Sequence, residues 1–284
     1  MPTILDETRF ILNKYNIKAD KKLGQNFLIS DEAVSKIIDS SDITENDLVI
    51  EIGPGLGTLT KELLERAGKV ICIELDPRMV KILKERFSLY DNFMLLHEDV
   101  LKVDLNTLIK ENINNMKRVK IVANLPYYIT TPIIMKLLEN NLNIESIIVM
   151  IQKEVADRLT AIPGEKDSGA ITYSVYYYSI PRKICFVSKD CFIPAPEVDS
   201  EVIELKIREE KAVKLKDEKT FFNVIKASFM QRRKTLLNGL TNSGLIKSKE
   251  EGKILLSKLS LPENTRGENL TIEQFAKLSD ELSK

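Results

Sequence analysis

The amino-acid sequence predicts an α/β fold: a Rossmann-like, parallel and doubly wound sheet with a smaller all-α carboxy-terminal domain. Short apolar runs alternate with helix-like stretches between about residues 48 and 161, as in successive β-α units. A glycine turn joins the first of these runs to the helix-like stretch that follows it. After about residue 207 the apolar spacing becomes wholly helical. We therefore expect one domain at 1–207 and a second at 208–284.

Two helices are expected before the sheet, at 4–15 and 31–40. The strands share short apolar cores, and we expect them at 48–52, 70–74, 93–96, 121–123 and 147–151. The helices between them carry apolar residues three or four positions apart, at 58–67, 76–87, 131–139 and 152–161. Further β-rich runs with prolines at their connections are expected to finish the sheet, at 173–178, 184–187 and 198–207.

The second domain is predicted to contain helices at 217–242, 248–258 and 271–283. Thr271, with Gln274 three residues later, indicates a capped start of the last of these helices. If the first helix is unbroken, Arg232 falls on the apolar stripe that includes Leu236. Either that helix breaks near Gln231, or Arg232 is buried with an acidic partner.

Composition indicates a globular protein with an ample core, because 43% of the 284 residues are hydrophobic. The sequence contains no uncharged apolar run of about 18 residues, so we expect no membrane partner. Asp6 and Glu7 stand where a secretion signal would carry its apolar segment, and we expect the protein in the cytoplasm.

Cysteine and histidine usage argues against several classes of site. Cys72, Cys185 and Cys191 are odd in number and widely spaced, which fits neither a disulfide framework nor a thiolate metal site. His97 is the single histidine, so histidine-based zinc sites and serine or cysteine triads have little support. We expect no metal in the mechanism.

Charge is balanced over the whole chain, with 42 basic and 42 acidic residues, but it is unevenly distributed. The stretch from Arg208 to Lys253 holds 12 basic and 6 acidic residues, a local net charge of +6. This end of the protein could therefore face phosphates.

The glycine turn indicates a nucleotide-like ligand, with Gly53 and Gly55 as candidate contacts. In the dinucleotide-binding pattern the third glycine lies five residues after the first, whereas Gly57 lies four after Gly53 and Thr58 holds the fifth place. This spacing disfavours a nicotinamide cofactor. Glu51 beside the turn would repel a pyrophosphate but suits a ligand that carries an ammonium and a sulfonium. S-adenosylmethionine is such a ligand.

Acidic residues follow the next two strands. Glu74, at the end of the second strand and 21 residues after Gly53, is placed to bind ribose hydroxyls. Asp99, after the third strand, could accept a hydrogen bond from an adenine amine. Because the carboxyl ends of parallel strands line one crevice, both acids support the cofactor interpretation.

The segment Asn124-Leu125-Pro126-Tyr127 follows an apolar run and is predicted to lie where a buried strand reaches the sheet edge. The exocyclic amine of adenine is a poor nucleophile because its lone pair is delocalised into the ring. The Asn124 side-chain oxygen and the Leu125 carbonyl could accept its two hydrogens and free that lone pair. Pro126 would hold the turn, and Tyr127 offers a flat face for an extruded base.

These segments together resemble the ribosomal RNA adenine dimethyltransferases over nearly the whole chain. The segments of the first domain that carry the resemblance are 23–28, 51–55, 124–127, 152–156 and 192–200. Those of the second domain are 231–236 and 266–270. The segment 168–170 and Tyr176 depart from the family pattern, in which a tyrosine-glycine pair and a glutamine are more usual.

The resemblance implies a methyltransferase sheet dependent on S-adenosylmethionine and a helical domain that binds RNA or the ribosome. It implies cofactor contacts at Asn26, Leu28, Gly53, Glu74, Asp99 and Asn124. It also places Phe192 against the target base, which would then lie between Tyr127 and Phe192. The implied reaction is dimethylation of two adjacent adenosines in the 3'-terminal hairpin of 16S rRNA. The implied partner is an immature small ribosomal subunit, and we expect a monomer.

Two basic clusters are candidates for RNA contact. The first is Arg232, Arg233 and Lys234, at the head of a predicted helix. The second is Lys21 and Lys22, which come just before the segment 23–28. A solvated protein surface is the ordinary alternative for either cluster.

Three other functions remain open from the sequence. A methyltransferase of the erythromycin-resistance type shares the fold and acts on large-subunit RNA, although the segment 198–200 and the carboxy-terminal match favour the small subunit. A non-enzymatic factor that monitors small-subunit assembly is a second alternative, and this role is compatible with catalysis. A nicotinamide-dependent oxidoreductase is the third, and the glycine spacing and Glu51 both disfavour it.

Overall fold

The computed structural model describes residues 2–20, 23–165, 167–231 and 234–283. These residues form two compact units. The first comprises Met1–Ala156 and Arg182–Ile207, and the second comprises Asp157–Pro181 and Arg208–Lys284. One boundary thus falls after residue 207, where the sequence indicates it, but the segment 157–181 groups with the helical unit.

The strands of the described residues are β1 (Phe27–Leu28), β2 (Asp47–Ile52), β3 (Lys69–Glu74), β4 (Phe93–His97), β5 (Arg118–Asn124), β6 (Ser146–Gln152), β7 (Ser179–Val187), β8 (Phe192–Ile193) and β9 (Ser200–Ile207). Seven of them form one sheet in the order β4-β3-β2-β5-β6-β9-β7. The pairs from β4 through β6 are parallel, and β9 runs antiparallel to β6. The remaining two, β1 and β8, form a separate antiparallel pair.

The helices are α1 (Ile4–Lys14), α2 (Asp31–Ser40), α3 (Thr58–Arg66), α4 (Pro77–Phe87), α5 (Leu105–Asn112), α6 (Thr130–Glu139), α7 (Lys153–Leu159), α8 (Ala170–Tyr178), α9 (Glu218–Phe229), α10 (Leu236–Asn242), α11 (Lys249–Lys258) and α12 (Ile272–Leu282). Side chains cap the starts of several of them. Asp76 caps α4, which has proline at its first position, and Thr271 with Gln274 forms the capping box expected for α12. None of the helices in the described part of the chain is long and apolar enough to cross a membrane.

The core of the first unit lies on the central strands. Leu48, Val49 and Ile50 of β2 are fully buried, as are Ile147 and Ile148 of β6. Such continuous apolar runs are expected where both faces of a parallel sheet are covered. The strand order reverses at β2, which has β3 on one side and β5 on the other. A crevice therefore opens at the carboxyl ends of these strands.

Helix α8 corrects the expectation of a strand at 173–178. The run is rich in tyrosine, which favours strands, but its tertiary contacts have helical spacing. Tyr173 packs edge-to-face on Phe275, with ring centroids 4.8 Å apart, and Tyr177 packs on Phe221. These partners belong to α12 and α9, which explains why the segment 157–181 lies in the helical unit.

A single helix at 217–242 is also wrong, because α9 ends at Phe229 and α10 begins at Leu236. The break near Gln231 is therefore the correct alternative. Thr235 caps α10 through its side chain, and Leu236 is fully buried. The sequence analysis also did not predict α5 or the short β1–β8 pair, whose brevity gives little periodic signal.

We predict that Tyr173→Phe destabilises the protein by about 1–3 kcal/mol. The fully buried Tyr173 hydroxyl donates to the Leu270 carbonyl at 2.6 Å and accepts from the Gly164 amide at 3.2 Å. Removing it leaves these backbone groups without that partner. Urea unfolding would measure the loss, with Tyr176→Phe in the same helix as the control. Equal stability of the two variants would contradict the prediction.

Candidate active site

A cleft at the carboxyl ends of β2, β3, β4 and β5 collects the predicted cofactor and catalytic residues. It is open to solvent at its mouth and is lined by the ends of these strands and by the loops that follow them. The predicted residues that line it are Asn26, Leu28, Gly53, Gly55, Glu74, Asp99, Asn124, Leu125, Tyr127 and Phe192. All of them belong to the first unit.

The glycine turn supplies the floor of the cleft. Gly53 and Gly55 have φ values of 66° and 58°, in the left-handed region that favours glycine. A Cβ added at Gly53 would meet nothing within 4 Å, so the backbone there faces open space. Gly57 has a different role, because a Cβ there would lie 2.5 Å from the Phe87 ring. Gly53 thus exposes backbone to the cleft, whereas Gly57 allows α3 to pack closely on α4.

Glu74 closes one side of the turn. Its Oε2 accepts from the Gly55 amide at 3.1 Å, and its Oε1 accepts from the Asp76 amide at 2.8 Å. Burial raises the pKa of this carboxyl, and the backbone donors act in the opposite direction. These contacts fix the Glu74 carboxyl at the end of β3, the position at which the sequence predicts a contact with ribose hydroxyls.

Asp99 lies in the loop after β4, half-buried at the wall of the cleft. Its Oδ1 accepts from the Leu101 amide at 3.0 Å, which orients the carboxylate. The side chain occupies the position that the sequence analysis gave to an adenine contact. Exposed Leu75 and buried Val100 line the cleft beside it and offer apolar surface to a base.

Glu51 is almost fully buried at the base of the cleft. It accepts hydrogen bonds from Thr60 Oγ1 at 2.6 Å and from Cys72 Sγ at 3.4 Å. Burial raises the pKa of Glu51 to about 7, with a smaller effect from the nearby Glu74 carboxylate. The carboxyl is thus poised near neutral pH, and a cation bound in the cleft would favour its charged form.

The amino-terminal segment 23–28 is held at the edge of the cleft by two sets of contacts. The β1–β8 pair places Leu28 opposite Phe192. Gln25 Nε2 donates to Asp76 Oδ2 at 2.7 Å, and Asp76 also accepts from Arg78. No sequence motif indicates this network, because Gln25 lies 51 residues before Asp76.

Asn124 links that segment to the end of β5. Its Nδ2 donates to the Asn26 carbonyl at 3.3 Å, which leaves Oδ1 as the atom available to accept from an amine. The Leu125 amide donates to the Met150 carbonyl at 3.1 Å, so the loop is also tied to β6. The Pro126 carbonyl accepts from Thr130 Oγ1 at 3.1 Å, which fixes the following turn.

Tyr127 and Phe192 both line the cleft. The Tyr127 hydroxyl is 2.7 Å from Ser200 Oγ, and burial raises the pKa of this phenol. Phe192 is only 4% exposed and also packs in the apolar core. Ser200 belongs to the segment 192–200, which carries part of the family resemblance. No local sequence pattern predicts its contact with Tyr127.

Of the five residues predicted to contact RNA, one lies among the described residues. Lys234 is exposed in the helical unit. The other four candidates, Lys21, Lys22, Arg232 and Arg233, lie outside the described residues.

The cleft fits S-adenosylmethionine by the chemistry of its walls. The glycine turn exposes its backbone at Gly53. The carboxyls of Glu74 and Asp99 present hydrogen-bond acceptors at the ends of successive strands. The Glu51 carboxyl lies at the base of the cleft. A ligand with ribose hydroxyls, a base amine and positive charge would meet a matching group at each position.

A sequence model of the family described as "Ribosomal RNA adenine dimethylase" matches residues 16–284. A protein of Bacillus pumilus named "Ribosomal RNA small subunit methyltransferase A" is 48% identical over 280 residues, 98% of this chain and 96% of its own length. A protein of the same name from Lachnoclostridium phytofermentans is 49% identical over 276 residues, 96% of this chain and 95% of its own length.

Solved structures confirm the fold class. A dimethyladenosine transferase from Plasmodium falciparum superposes with a TM-score of 0.75 and 28% identity, covering 89% of this chain and 95% of that one. The 23S rRNA methyltransferase ErmE superposes with a TM-score of 0.70 and 24% identity, covering 91% of this chain and 100% of that one. The second likeness shows the fold alone.

We predict that Glu51 makes the protein less stable as pH rises. The folded-state pKa of about 7 lies above the ordinary 4.5, so the folded state binds the proton more tightly. The free energy of unfolding therefore falls between these pH values, by on the order of 3 kcal/mol for this group, and is level above them. Glu51→Gln should remove this part of the decline.

Urea unfolding of both proteins between pH 5 and 8 would measure the difference. Glu65→Gln, at an exposed position of the same helix that carries Thr60, is the matched control. Parallel stability curves for wild type and Glu51→Gln would contradict the prediction.

Proposed function

The chain belongs to the ribosomal RNA adenine dimethylase family, and from this premise we propose its reaction. It transfers methyl groups from S-adenosylmethionine to the 6-amino groups of two adjacent adenosines in the 3'-terminal hairpin of 16S rRNA. The product is dimethyladenosine. The enzyme is thus an rRNA (adenine-N6,N6)-dimethyltransferase.

The orientation of the Asn124 amide is the observation that carries the proposal. Its nitrogen is engaged by the Asn26 carbonyl, so its oxygen is the group left to accept an amine hydrogen. The Leu125 carbonyl is the proposed acceptor for the second hydrogen. Two acceptors at these positions would draw the nitrogen toward tetrahedral geometry and free its lone pair. An adenine amine is the nucleophile that needs this help.

Asn26, Leu28, Gly53, Gly55, Glu74 and Asp99 are the residues proposed to hold the cofactor. When bound, S-adenosylmethionine supplies a methyl group that its sulfonium already activates. The protein therefore has mainly to orient the amine and exclude water. The amine proton can pass to solvent after transfer, and a monomethylated amine keeps one hydrogen for Asn124 or Leu125.

Tyr127 and Phe192 are proposed to bind the target base between them, as in enzymes that extrude a base from its stack. Both rings line the same cleft as Asn124. Phe192 also packs in the core, which holds its ring in one place. Tyr127 is held from its hydroxyl end by Ser200.

The large-subunit alternative is not favoured. The two relatives that are 48% and 49% identical over nearly the full chain are both named for the small subunit. The likeness to ErmE is lower, at 24% identity. A mainly non-catalytic assembly factor is not favoured either, because the cleft presents the complete set of proposed cofactor and base contacts.

We further propose an immature small subunit as the substrate, a cytoplasmic location and a monomeric enzyme. Lys234, with Lys21, Lys22, Arg232 and Arg233, is proposed to contact phosphates of the RNA. The exposure of Lys234 is compatible with this role.

Transfer of labelled methyl from S-adenosylmethionine to small subunits that lack these modifications tests the function. Large subunits are assayed in parallel, and nucleosides of the product are identified. We expect labelled dimethyladenosine in the small subunit only. Label in the large subunit would instead indicate a methyltransferase of the erythromycin-resistance type. Binding to the small subunit without methyl transfer would favour a non-catalytic assembly factor.

We predict that Asn124→Ala lowers the rate of methyl transfer by about 100-fold or more, because one of two acceptors of the amine is lost. Asn106→Ala, at an exposed position of α5, is the control and should keep the wild-type rate. Retention of more than half of the wild-type rate by Asn124→Ala would refute this role.

A further inference from the structure

We infer that Ser200 is a positioning residue for methyl transfer, which holds the Tyr127 ring at the target base and thereby supports the second methylation of each adenosine. The inference rests on the proposed function. It adds Ser200 as a residue that acts on the target base through Tyr127. Its basis is the contact between the Tyr127 hydroxyl and Ser200 Oγ, at 2.7 Å.

Ser200 is a rigid anchor, whereas Tyr127 lies in a short turn. Ser200 is fully buried and is the first residue of β9, where it pairs with Gln152 of β6. Tyr127 begins the 3₁₀ helix Tyr127–Ile129 and is partly exposed in the cleft. The hydrogen bond therefore ties the far end of a ring on a surface turn to the start of β9, beside the carboxyl end of β6.

Two hydrogen bonds to Asp199, the residue before Ser200, hold the start of β9 in place. The Asp199 carbonyl accepts from the Lys153 amide at 3.0 Å, and Asp199 Oδ1 accepts from the Lys189 amide at 3.0 Å. These bonds connect the start of β9 to the start of α7 and to the segment before β8. The hydroxyl that meets Tyr127 is thus fixed in position by more than its own strand.

The same chain segment carries the opposite wall of the base site. Phe192 lies in β8, and the connection 194–199 leads directly from β8 to Ser200. One segment therefore places Phe192 itself and, through the Ser200 hydroxyl, the Tyr127 ring. We therefore expect the Tyr127–Ser200 hydrogen bond to help fix the spacing between the two rings.

The second methyl transfer depends more on this spacing than the first. An unmodified amine has two hydrogens, one for Asn124 Oδ1 and one for the Leu125 carbonyl. A monomethylated amine has a single hydrogen and a bulkier nitrogen, so the hydrogen bonds orient it less. Stacking on the two rings must then supply a larger share of the orientation.

Ser200→Ala and Tyr127→Phe each remove the hydrogen bond, from opposite ends. Methyl transfer to small subunits is followed over time, and monomethyladenosine and dimethyladenosine are quantified separately. We expect the first transfer to fall about 3-fold to 10-fold and the second to fall further, so that monomethyladenosine accumulates. The double variant should show the same product ratio as either single variant, because all three lack one bond.

Ser146→Ala is the matched control, since Ser146 is buried at the other end of β6. It should keep the wild-type ratio of products. A wild-type ratio in Ser200→Ala would overturn the inference, as would an equal loss of both transfers with no change in ratio. Tyr127→Phe gives the same test if Ser200→Ala folds poorly, and an unaltered ratio there would also overturn it. Wild-type protein that forms no dimethyladenosine would instead refute the proposed function, and the inference with it.

Discussion

The reversal of strand order at β2 is the constraint on which the site depends. Because β3 lies on one side of β2 and β5 on the other, the turns after these strands diverge and leave a crevice. The first turn exposes backbone at Gly53, and the loop after β5 presents Asn124. The residues that line this crevice all belong to the first unit.

Buried polar groups hold this crevice in shape. Each is expensive to bury alone, and each has a partner. Glu74 is held by two backbone amides, Glu51 by Thr60 and Cys72, and the Asn124 amide by the Asn26 carbonyl. Burial raises the pKa of Glu51 to about 7, so this carboxyl is poised between its charged and uncharged forms near neutral pH. A positively charged ligand in the cleft would favour its ionised form.

The sequence predicted most of the sheet and the residues that gather in the cleft, because both follow from local pattern. Strand-end acids and a glycine turn are adjacent to the elements that place them. Two of the failures come from contacts that are distant in sequence. The run 173–178 is helical because Tyr173 and Tyr177 pack on α12 and α9, and the hydroxyl partner of Tyr127 comes from a strand 73 residues later. No local pattern carries such information.

A structure of the protein bound to S-adenosylhomocysteine and an RNA hairpin that contains the target adenosines would test the account most directly. The account predicts an adenine amine within about 2.7–3.2 Å of both Asn124 Oδ1 and the Leu125 carbonyl. It also predicts the base between Tyr127 and Phe192, with the Tyr127–Ser200 hydrogen bond intact. An adenine bound elsewhere, or an Asn124 amide that turns its nitrogen toward the base, would contradict it.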